Sequence, residues 1–232
     1  MSHPQSTPST PPTPPATSTA APRAAAGRGR TVLATRPLTG WRTVDLLTVT
    51  FLGAAFGIAY WGYGVLYNGP ISALGFGLRP LFGLFVGVWF LAGVVGGLVV
   101  RRPGAALLCE VVAALVSMLP GTEWGVTTLV AGVLQGLGAE LVLALLAYRS
   151  FGLVTAVLAG AASAPLEWVY EVFFTYFVDW SMEWKLVYLG TMTISGAVIA
   201  GLGGWAVTRA LAKGGALGAF PPGQEERERR AV

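Results

Sequence analysis

The sequence predicts an all-α integral membrane protein, a bundle of six transmembrane helices with both termini in the cytoplasm. Apolar residues make up 54% of the 232 residues and charged residues only 11%, whereas soluble domains carry about 25% charged residues. The charges lie mainly at the two ends of the chain and at the breaks between long apolar runs. Composition and charge placement therefore favour a multi-pass membrane protein over a soluble domain.

The apolar runs define the expected helices, because about 20 apolar residues cross a bilayer once. Pro120 ends the third run early, and Pro165, which lacks a backbone N–H, interrupts the long fifth run. The six expected spans cover approximately residues 44–63, 80–100, 104–119, 124–147, 152–178 and 184–211.

The two ends of the chain are predicted to be tails outside a membrane domain of residues 41–213. Residues 1–40 are rich in Pro, Ser, Thr and Ala, cannot bury a core, and are expected to be disordered. They lack the apolar segment of a signal peptide. Residues 214–232 are expected to form a charged cytoplasmic tail.

Basic residues set the orientation, because Arg and Lys are enriched in cytoplasmic loops. If both termini are cytoplasmic, only Arg79 and Lys185 are left on the outer side. The basic residues that then fall on the cytoplasmic side next to the spans are Arg23, Arg28, Arg30, Arg36, Arg42, Arg101, Arg102, Arg149, Arg209 and Lys213.

The residue inventory excludes most enzyme classes. The single cysteine, Cys109, cannot form an internal disulfide, and the single histidine, His3, lies in the N-terminal tail. No phosphate-binding loop of an ATPase occurs. No basic patch suited to nucleic acid is present. We therefore expect no catalytic residues, no metal site, no cofactor and no nucleic-acid partner.

Small residues recur at a spacing of four, which lets helix backbones approach closely in lipid. Two interpretations remain open for each pair: packing inside the bundle, or docking of another membrane subunit. The second interpretation is most relevant to the first span. The pairs are Gly53/Gly57, Ala55/Ala59, Gly83/Gly87, Gly93/Gly97 and Gly132/Gly136.

Four acidic residues lie inside the expected spans: Glu110, Glu140, Glu167 and Glu171, with Gln135 as an additional amide. A charge at mid-membrane costs roughly 2.5–3.5 kcal/mol on insertion scales, and no Lys or Arg lies at the same depth. Either these acids are protonated, or a cationic or hydrogen-bond-donating group reaches them from outside. Glu140 lies nearest the cytoplasmic end and is expected to serve packing or a subunit contact.

Aromatic residues are concentrated at the predicted outer ends of the spans. They fit the aromatic belt of a membrane interface, an interpretation that we favour for Trp180. They also fit a site for a flat, cationic ring, which could stack on them and gain cation–π attraction. These residues are Trp61, Tyr63, Tyr67, Trp124, Trp180 and Trp184.

The stretch from residue 101 to 152 resembles the YkoE family, whose members are substrate-binding (S) components of energy-coupling-factor (ECF) vitamin transporters. It reads RRPGAALLCEVVAALVSMLPGTEWGVTTLVAGVLQGLGAELVLALLAYRSFG. The resemblance extends over residues 44–212. It implies a six-helix protein of the prokaryotic cytoplasmic membrane that binds thiamine or its hydroxymethylpyrimidine precursor. It also implies two kinds of partner, a transmembrane coupling (T) subunit and a pair of cytoplasmic ATPases.

The resemblance also implies where ligand and partner bind. S components hold their substrate near the outer face, under the loop after the first helix, which here would carry Trp61, Tyr63, Tyr67 and Asn68. Ala55 and Ala59 match the stripe through which S components meet the coupling subunit. With the acids and aromatics above, the expected substrate-binding residues are Glu171, Glu167, Tyr170, Glu110, Gln135, Trp61, Tyr63 and Trp124.

The leading hypothesis is capture of thiamine or its pyrimidine precursor for uptake driven by partner ATPases. The main alternative is a stand-alone carrier coupled to protons or cations, with the glutamates as a proton relay. The absence of an evident inverted repeat disfavours that alternative. An intramembrane enzyme and a purely structural subunit explain the unpaired acids less well.

Overall fold

The computed structural model describes residues 31–74 and 79–231, and within these ranges the chain is helical and has no β-strand. The predictions for residues 1–30 lie outside the described residues. The helices are α1 (Thr43–Ile71), α2 (Arg79–Val100), α3 (Ala105–Met118), α4 (Thr127–Leu145), α5 (Leu153–Phe174), α6 (Met182–Lys213) and α7 (Pro221–Arg230).

The predicted all-helical membrane class is confirmed at the level of the helices. Five of them, α1, α2, α4, α5 and α6, are long and apolar enough to cross a membrane. The remaining apolar helix, α3, has only 14 residues, or about 21 Å at helical rise. The count of six spans and the cytoplasmic location of both termini therefore stay predictions.

The start of α4 differs from its predicted position at residue 124. Gly121 and Gly125 have φ angles of +93° and +53°, which a residue with a side chain rarely adopts. They turn the chain on both sides of Trp124, so that regular helix begins only at Thr127. The apolar character of this stretch continues through the turns, and hydropathy alone does not reveal them.

The central helix of the bundle is α2, which contacts each of the other five apolar helices. Its glycines allow this close packing. An added Cβ at Gly96 would lie 2.4 Å from the Cβ of Cys109, and one at Gly83 would lie 2.2 Å from Oγ1 of Thr191. Nearly every side chain from Ala92 to Val100 is buried. The wholly apolar sequence of this run follows from its central position.

Three helices leave α-helical geometry: α1 at its end, where Tyr67–Ile71 is π-helical, and α2 and α6 along their length. A 3₁₀ turn occupies Gly87–Phe90 in α2, and a π-helical segment occupies Gly196–Gly203 in α6. Backbone N–H groups freed by such irregularities need other acceptors in a membrane. Here the N–H of Gly87 donates to Oγ of Ser195 at 2.9 Å, and the N–H of Ala92 donates to the Tyr60 hydroxyl at 2.7 Å.

A buried ion pair ties the start of α1 to the end of α2. Nε of Arg102 donates to Oδ2 of Asp45 at 2.7 Å, and the two side chains are 2% and 0% exposed. The Arg102 guanidinium also donates to the backbone carbonyls of Thr35, Pro37 and Leu38. Part of the predicted N-terminal tail is thus bound to the bundle through carbonyl groups that a buried cation contacts.

The neighbouring Arg101 organises the C-terminal part of the chain. Its guanidinium donates to both carboxylate oxygens of Glu225 on α7, at 2.6 and 3.1 Å, and to the carbonyl of Val32. It also lies 4.7 Å from the ring centroid of Phe151. The region predicted as a charged tail, residues 214–232, therefore contains a helix held to the bundle by an ion pair.

The small residues of α1 lie on two different faces. An added Cβ at Gly53 would lie 2.7 Å from Cβ of Val112, and one at Gly57 would lie 2.6 Å from the carbonyl oxygen of Ala113. This glycine pair therefore packs α1 against α3. Ala55 and Ala59 are exposed on another face of the same helix.

Glu140 holds the start of α3 in place. Its carboxylate accepts hydrogen bonds from the N–H groups of Gly104 and Ala106, at 2.7 and 2.9 Å, and from the Tyr148 hydroxyl at 2.5 Å. Burial and the bond to Glu140 raise the pKa of that hydroxyl, which stays a neutral donor. A carboxylate at a helix N-terminus is also favoured by the helix dipole. Glu140 thus acts as a cap supplied by a neighbouring helix.

Replacing Glu140 with alanine should destabilise the protein without changing the ligand site. Loss of the cap leaves buried N–H groups unsatisfied, which costs about 1–3 kcal/mol. We expect a lower midpoint of thermal unfolding in detergent, followed by tryptophan fluorescence, and unchanged ligand affinity. Glu228→Gln, on an exposed face of α7, is the control, and equal midpoints for the two variants would contradict the capping role.

Candidate functional site

A cavity of about 710 Å³ opens into one end of the bundle, within the usual range for small-molecule sites. Its walls come from the later parts of α1, α3 and α5 and the early parts of α2, α4 and α6. This is the end for which the sequence predicts an outer location. Each of the six helices contributes polar or aromatic side chains, among them Tyr60, Trp89, Glu110, Gln135, Glu167 and Tyr188.

Three carboxyl groups reach this cavity, and each has one oxygen tied to the protein. Oε1 of Glu167 accepts a hydrogen bond from Nε2 of Gln135 at 2.6 Å. Oε2 of Glu171 accepts one from the Tyr188 hydroxyl at 2.9 Å. Oε2 of Glu110 accepts one from the N–H of Gly93 at 2.6 Å. These bonds orient the carboxyl groups before any ligand arrives.

Two of the remaining oxygens are buried without a partner. Oε1 of Glu110 and Oε2 of Glu167 make no hydrogen bond to any described residue. Leaving buried polar atoms unpaired is costly, and such atoms in a cavity are suited to hydrogen-bond donors of a ligand. The cavity therefore provides carboxylate acceptors that the protein itself does not satisfy.

The cavity carries an excess of acidic groups. Within the described chain, its lining includes three carboxyl side chains but only one basic one, Arg79, which is exposed. The nearby Lys185 does not line the cavity, because its ammonium group donates to the carbonyl of Val178 at 2.8 Å. The arrangement favours a ligand that carries positive charge and hydrogen-bond donors.

Aromatic side chains form one wall of the cavity near α1 and α2. The Trp89 and Trp124 rings meet edge to face with centroids 5.4 Å apart, and Tyr67 lies 5.0 Å from Trp89.

A second aromatic wall comes from the connection between α5 and α6. Phe177 and Trp180 are stacked with centroids 4.2 Å apart, and Tyr188 meets Phe177 edge to face at 5.1 Å. Two aromatic walls around carboxylates form a site suited to a flat cationic ring.

Five of the predicted site residues line this cavity: Glu171, Glu167, Glu110, Gln135 and Trp124. Three others do not. The Tyr63 hydroxyl donates to the carbonyl of Phe85 at 3.0 Å, and its ring contacts Trp89 edge to face. Trp61 lines a separate, smaller cavity. Tyr170 lies on α5 between Glu167 and Glu171 and is not among the residues that line the cavity.

Sequence reasoning missed several lining residues. Trp180 was assigned to the aromatic belt, yet it lines the cavity. Trp89 lies in the middle of an apolar run, where no local pattern distinguishes it. Tyr188 is four residues after Trp184, on the same face of α6, and that spacing was the available signal. The other lining residues that were not predicted include Tyr60, Arg79 and Phe177.

Comparison with known proteins gives a consistent result. Residues 44–166 match the family model described as ABC-type cobalt transport system, permease component. The chain is 31% identical over 193 residues to the HMP/thiamine permease protein YkoE of Bacillus subtilis (strain 168), covering 82% of this chain and 94% of that protein. A crystal structure of an S-component of an ECF transporter superposes with a TM-score of 0.77 at 31% identity, covering 82% of this chain and 95% of that one.

The helical bundle and its polar, aromatic-walled cavity agree with the class of these relatives, which are membrane transport components. The chain belongs to the YkoE family of ECF-transporter S components. The resemblance stated from residues 101–152 is thereby confirmed.

Proposed function

We propose that this protein is the membrane-embedded substrate-binding component of an ECF-type ABC importer. It captures thiamine or hydroxymethylpyrimidine at the outer face of a prokaryotic cytoplasmic membrane for ATP-driven uptake. The observation that carries the proposal is the cavity in which Glu110, Glu167 and Glu171 meet two aromatic walls. Thiamine offers the complementary groups, a permanently positive thiazolium ring and an aminopyrimidine.

The lining residues take distinct roles in this proposal. Glu171 and Glu167 face the cationic ring or the pyrimidine nitrogens. The unpaired oxygens of Glu110 and Glu167 accept hydrogen bonds from the exocyclic amino group. Gln135 keeps Glu167 in position, and the ligand rings lie between the two aromatic walls.

An organic cation fits the cavity better than the cobalt named by the matching family model. Among the described residues, no three His, Cys, Asp or Glu side chains are close enough to hold a metal ion together. Imidazole is a common ligand of divalent transition metals, and the only histidine of the chain, His3, lies outside the described residues. Aromatic walls add nothing to metal binding but much to ring binding.

The exposed face of α1 is the proposed docking surface for the transmembrane coupling subunit. Ala55 and Ala59 allow close approach of a partner helix. Phe51 and Ile58 beside them are 72% and 67% exposed. Two cytoplasmic ATPase subunits complete the proposed importer, since the chain has no nucleotide-binding motif of its own.

Isothermal titration calorimetry tests the proposed function directly. The purified protein in detergent or nanodiscs is titrated with thiamine and, separately, with hydroxymethylpyrimidine. We expect one binding site with a dissociation constant in the micromolar range or below for at least one of them. Absence of binding of both compounds at micromolar concentrations would refute the proposal.

Uptake into proteoliposomes separates the proposal from the stand-alone carrier. The protein alone should not accumulate thiamine. Accumulation without any ATPase, abolished by a protonophore, would show a proton-coupled carrier instead.

A further inference from the structure

A second cavity of about 300 Å³, the side cavity, lies beside the main one. It is bounded by the end of α1 and by the connection between α3 and α4. Trp61, Gly64 and Val65 line it from α1, and Thr122 and Glu123 line it from the connection. The residues that line both cavities are Tyr60, Asn68, Trp89, Ser117, Trp124 and Thr128.

Aromatic side chains form the partition between the two cavities. Trp124 and Trp89 line both spaces and contact each other edge to face. Tyr67, on the main-cavity side, lies 6.1 Å from the Trp124 ring. The two spaces therefore adjoin across the Trp89 and Trp124 rings.

Trp124 is the ring best placed to rotate. It lies on the short connection before α4, between the left-handed glycines Gly121 and Gly125. Its ring rests on Gly64, where an added Cβ would lie 3.2 Å from Cζ3 of the indole. The absence of a side chain at Gly64 leaves the space that the ring occupies.

The side cavity repeats the chemistry of the main cavity. Trp61 is 41% exposed and provides a ring at the rim. Glu123 provides an exposed carboxylate, which has no ion-pair partner among residues 31–74 and 79–231. Oγ1 of Thr128 is buried, lines both spaces and makes no hydrogen bond to any described group. A ring, a carboxylate and an unsatisfied hydroxyl together suit the same kind of ligand.

We propose that the side cavity is a transit site, in which a flat organic cation rests between Trp61 and Glu123 before it passes Trp124 into the main cavity. The identity of that cation as thiamine rests on the proposed function. The transit site predicts that blocking the side cavity slows entry and exit equally and leaves equilibrium affinity unchanged.

Gly69→Trp fills the side cavity without a backbone clash. Gly69 lines this space, and an added Cβ would meet no atom within 4 Å. We expect the association rate of thiamine, measured by stopped-flow tryptophan fluorescence, to fall several-fold, since the open end of the main cavity remains as a second route. The dissociation rate should fall by the same factor, because a block that leaves the equilibrium affinity unchanged slows both directions equally.

Gly62→Trp is the matched control, because Gly62 also faces open space on α1 but lines neither cavity. Its rates should equal those of the unmodified protein. If the association and dissociation rates of Gly69→Trp stay within twofold of those of the unmodified protein, the transit site is overturned. Thiamine binding to the unmodified protein at equilibrium would still support the proposed function. Glu123→Gln should slow association several-fold at low ionic strength, and this difference should vanish in high salt.

A cysteine-labelling measurement tests the path without thiamine. Cys109 is 0% exposed, so that an Ala131→Cys variant, whose position lines only the main cavity, carries the one thiol that a reagent can reach. A trimethylammonium methanethiosulfonate reagent should label it, and adding Gly69→Trp should slow labelling several-fold. Equal labelling rates with and without Gly69→Trp would overturn the transit site even if thiamine did not bind.

Discussion

Replacing Glu171 with glutamine is expected to weaken thiamine binding about 100-fold, or about 2.7 kcal/mol. Glutamine keeps the size of the side chain and an oxygen that accepts the Tyr188 hydroxyl bond. Only the charge is lost, and a charge pair at a few ångströms in a partly dry site is worth a few kcal/mol. Neutral hydroxymethylpyrimidine should therefore lose less than about fivefold, since its binding contains no such pair.

Calorimetric titration of both compounds into the Glu171→Gln variant gives the comparison. Glu183→Gln is a suitable control, because Glu183 is an exposed acid near the start of α6 that does not line the cavity. It removes the same charge from the same end of the bundle and should leave both affinities within about twofold. Equal losses of both compounds in Glu171→Gln would mean that Glu171 does not recognise the charge.

The second large effect is expected from Asp45→Asn, which should destabilise the protein by about 3–5 kcal/mol. The substitution leaves the guanidinium of Arg102 buried without its carboxylate. Arg42, which bonds the other oxygen of Asp45 at 2.5 Å, loses its partner as well. A shift of this size lowers the midpoint of thermal unfolding by about 10 °C.

Glu226→Gln is the control, because it removes a carboxylate that pairs with exposed arginines. Glu226 pairs with Arg229 and Arg230 on α7, and these arginines are 46% and 61% exposed. Exposed pairs contribute roughly 0–1 kcal/mol, so the midpoint should fall by no more than about 3 °C. If Asp45→Asn shifts the midpoint no further than Glu226→Gln, the buried pair does not hold the two helices together.

The positions of the helices followed from simple physics. A run of apolar residues long enough to cross a bilayer has few alternatives to a helix, because no water is present to satisfy the backbone. What hydropathy could not reveal were the interruptions inside the runs. The 3₁₀ turn at Gly87–Phe90 depends on acceptors from other helices, such as Ser195, and such contacts leave no local pattern in the sequence.

The candidate site was predictable in its acids but not in its rings. A carboxylate inside an apolar helix is costly wherever it points, so Glu110, Glu167 and Glu171 stood out. An aromatic residue in an apolar run is unremarkable, and only the fold decides whether it faces lipid or a cavity. Tyr170, predicted at the site, does not line the cavity, whereas Trp180, predicted at the membrane interface, does.

The basic residues at the other end of the bundle were also predictable only in part. Arg101 and Arg102 were interpreted as signals of orientation, which requires only that they lie near the membrane surface. In the structure both are buried and paired, with Glu225 and with Asp45. Pairing partners 57 and 124 residues away cannot be recognised without the fold.

The two faces of α1 have a thermodynamic consequence. Tyr60 lines the main cavity and bonds the backbone of α2, while Ala59, the preceding residue, is exposed on the outside of the bundle. The proposed coupling subunit on the outer face and the proposed ligand in the cavity would therefore contact the same turn of one helix. If binding of one changes the affinity for the other through this turn, the change in binding free energy must be the same in both directions.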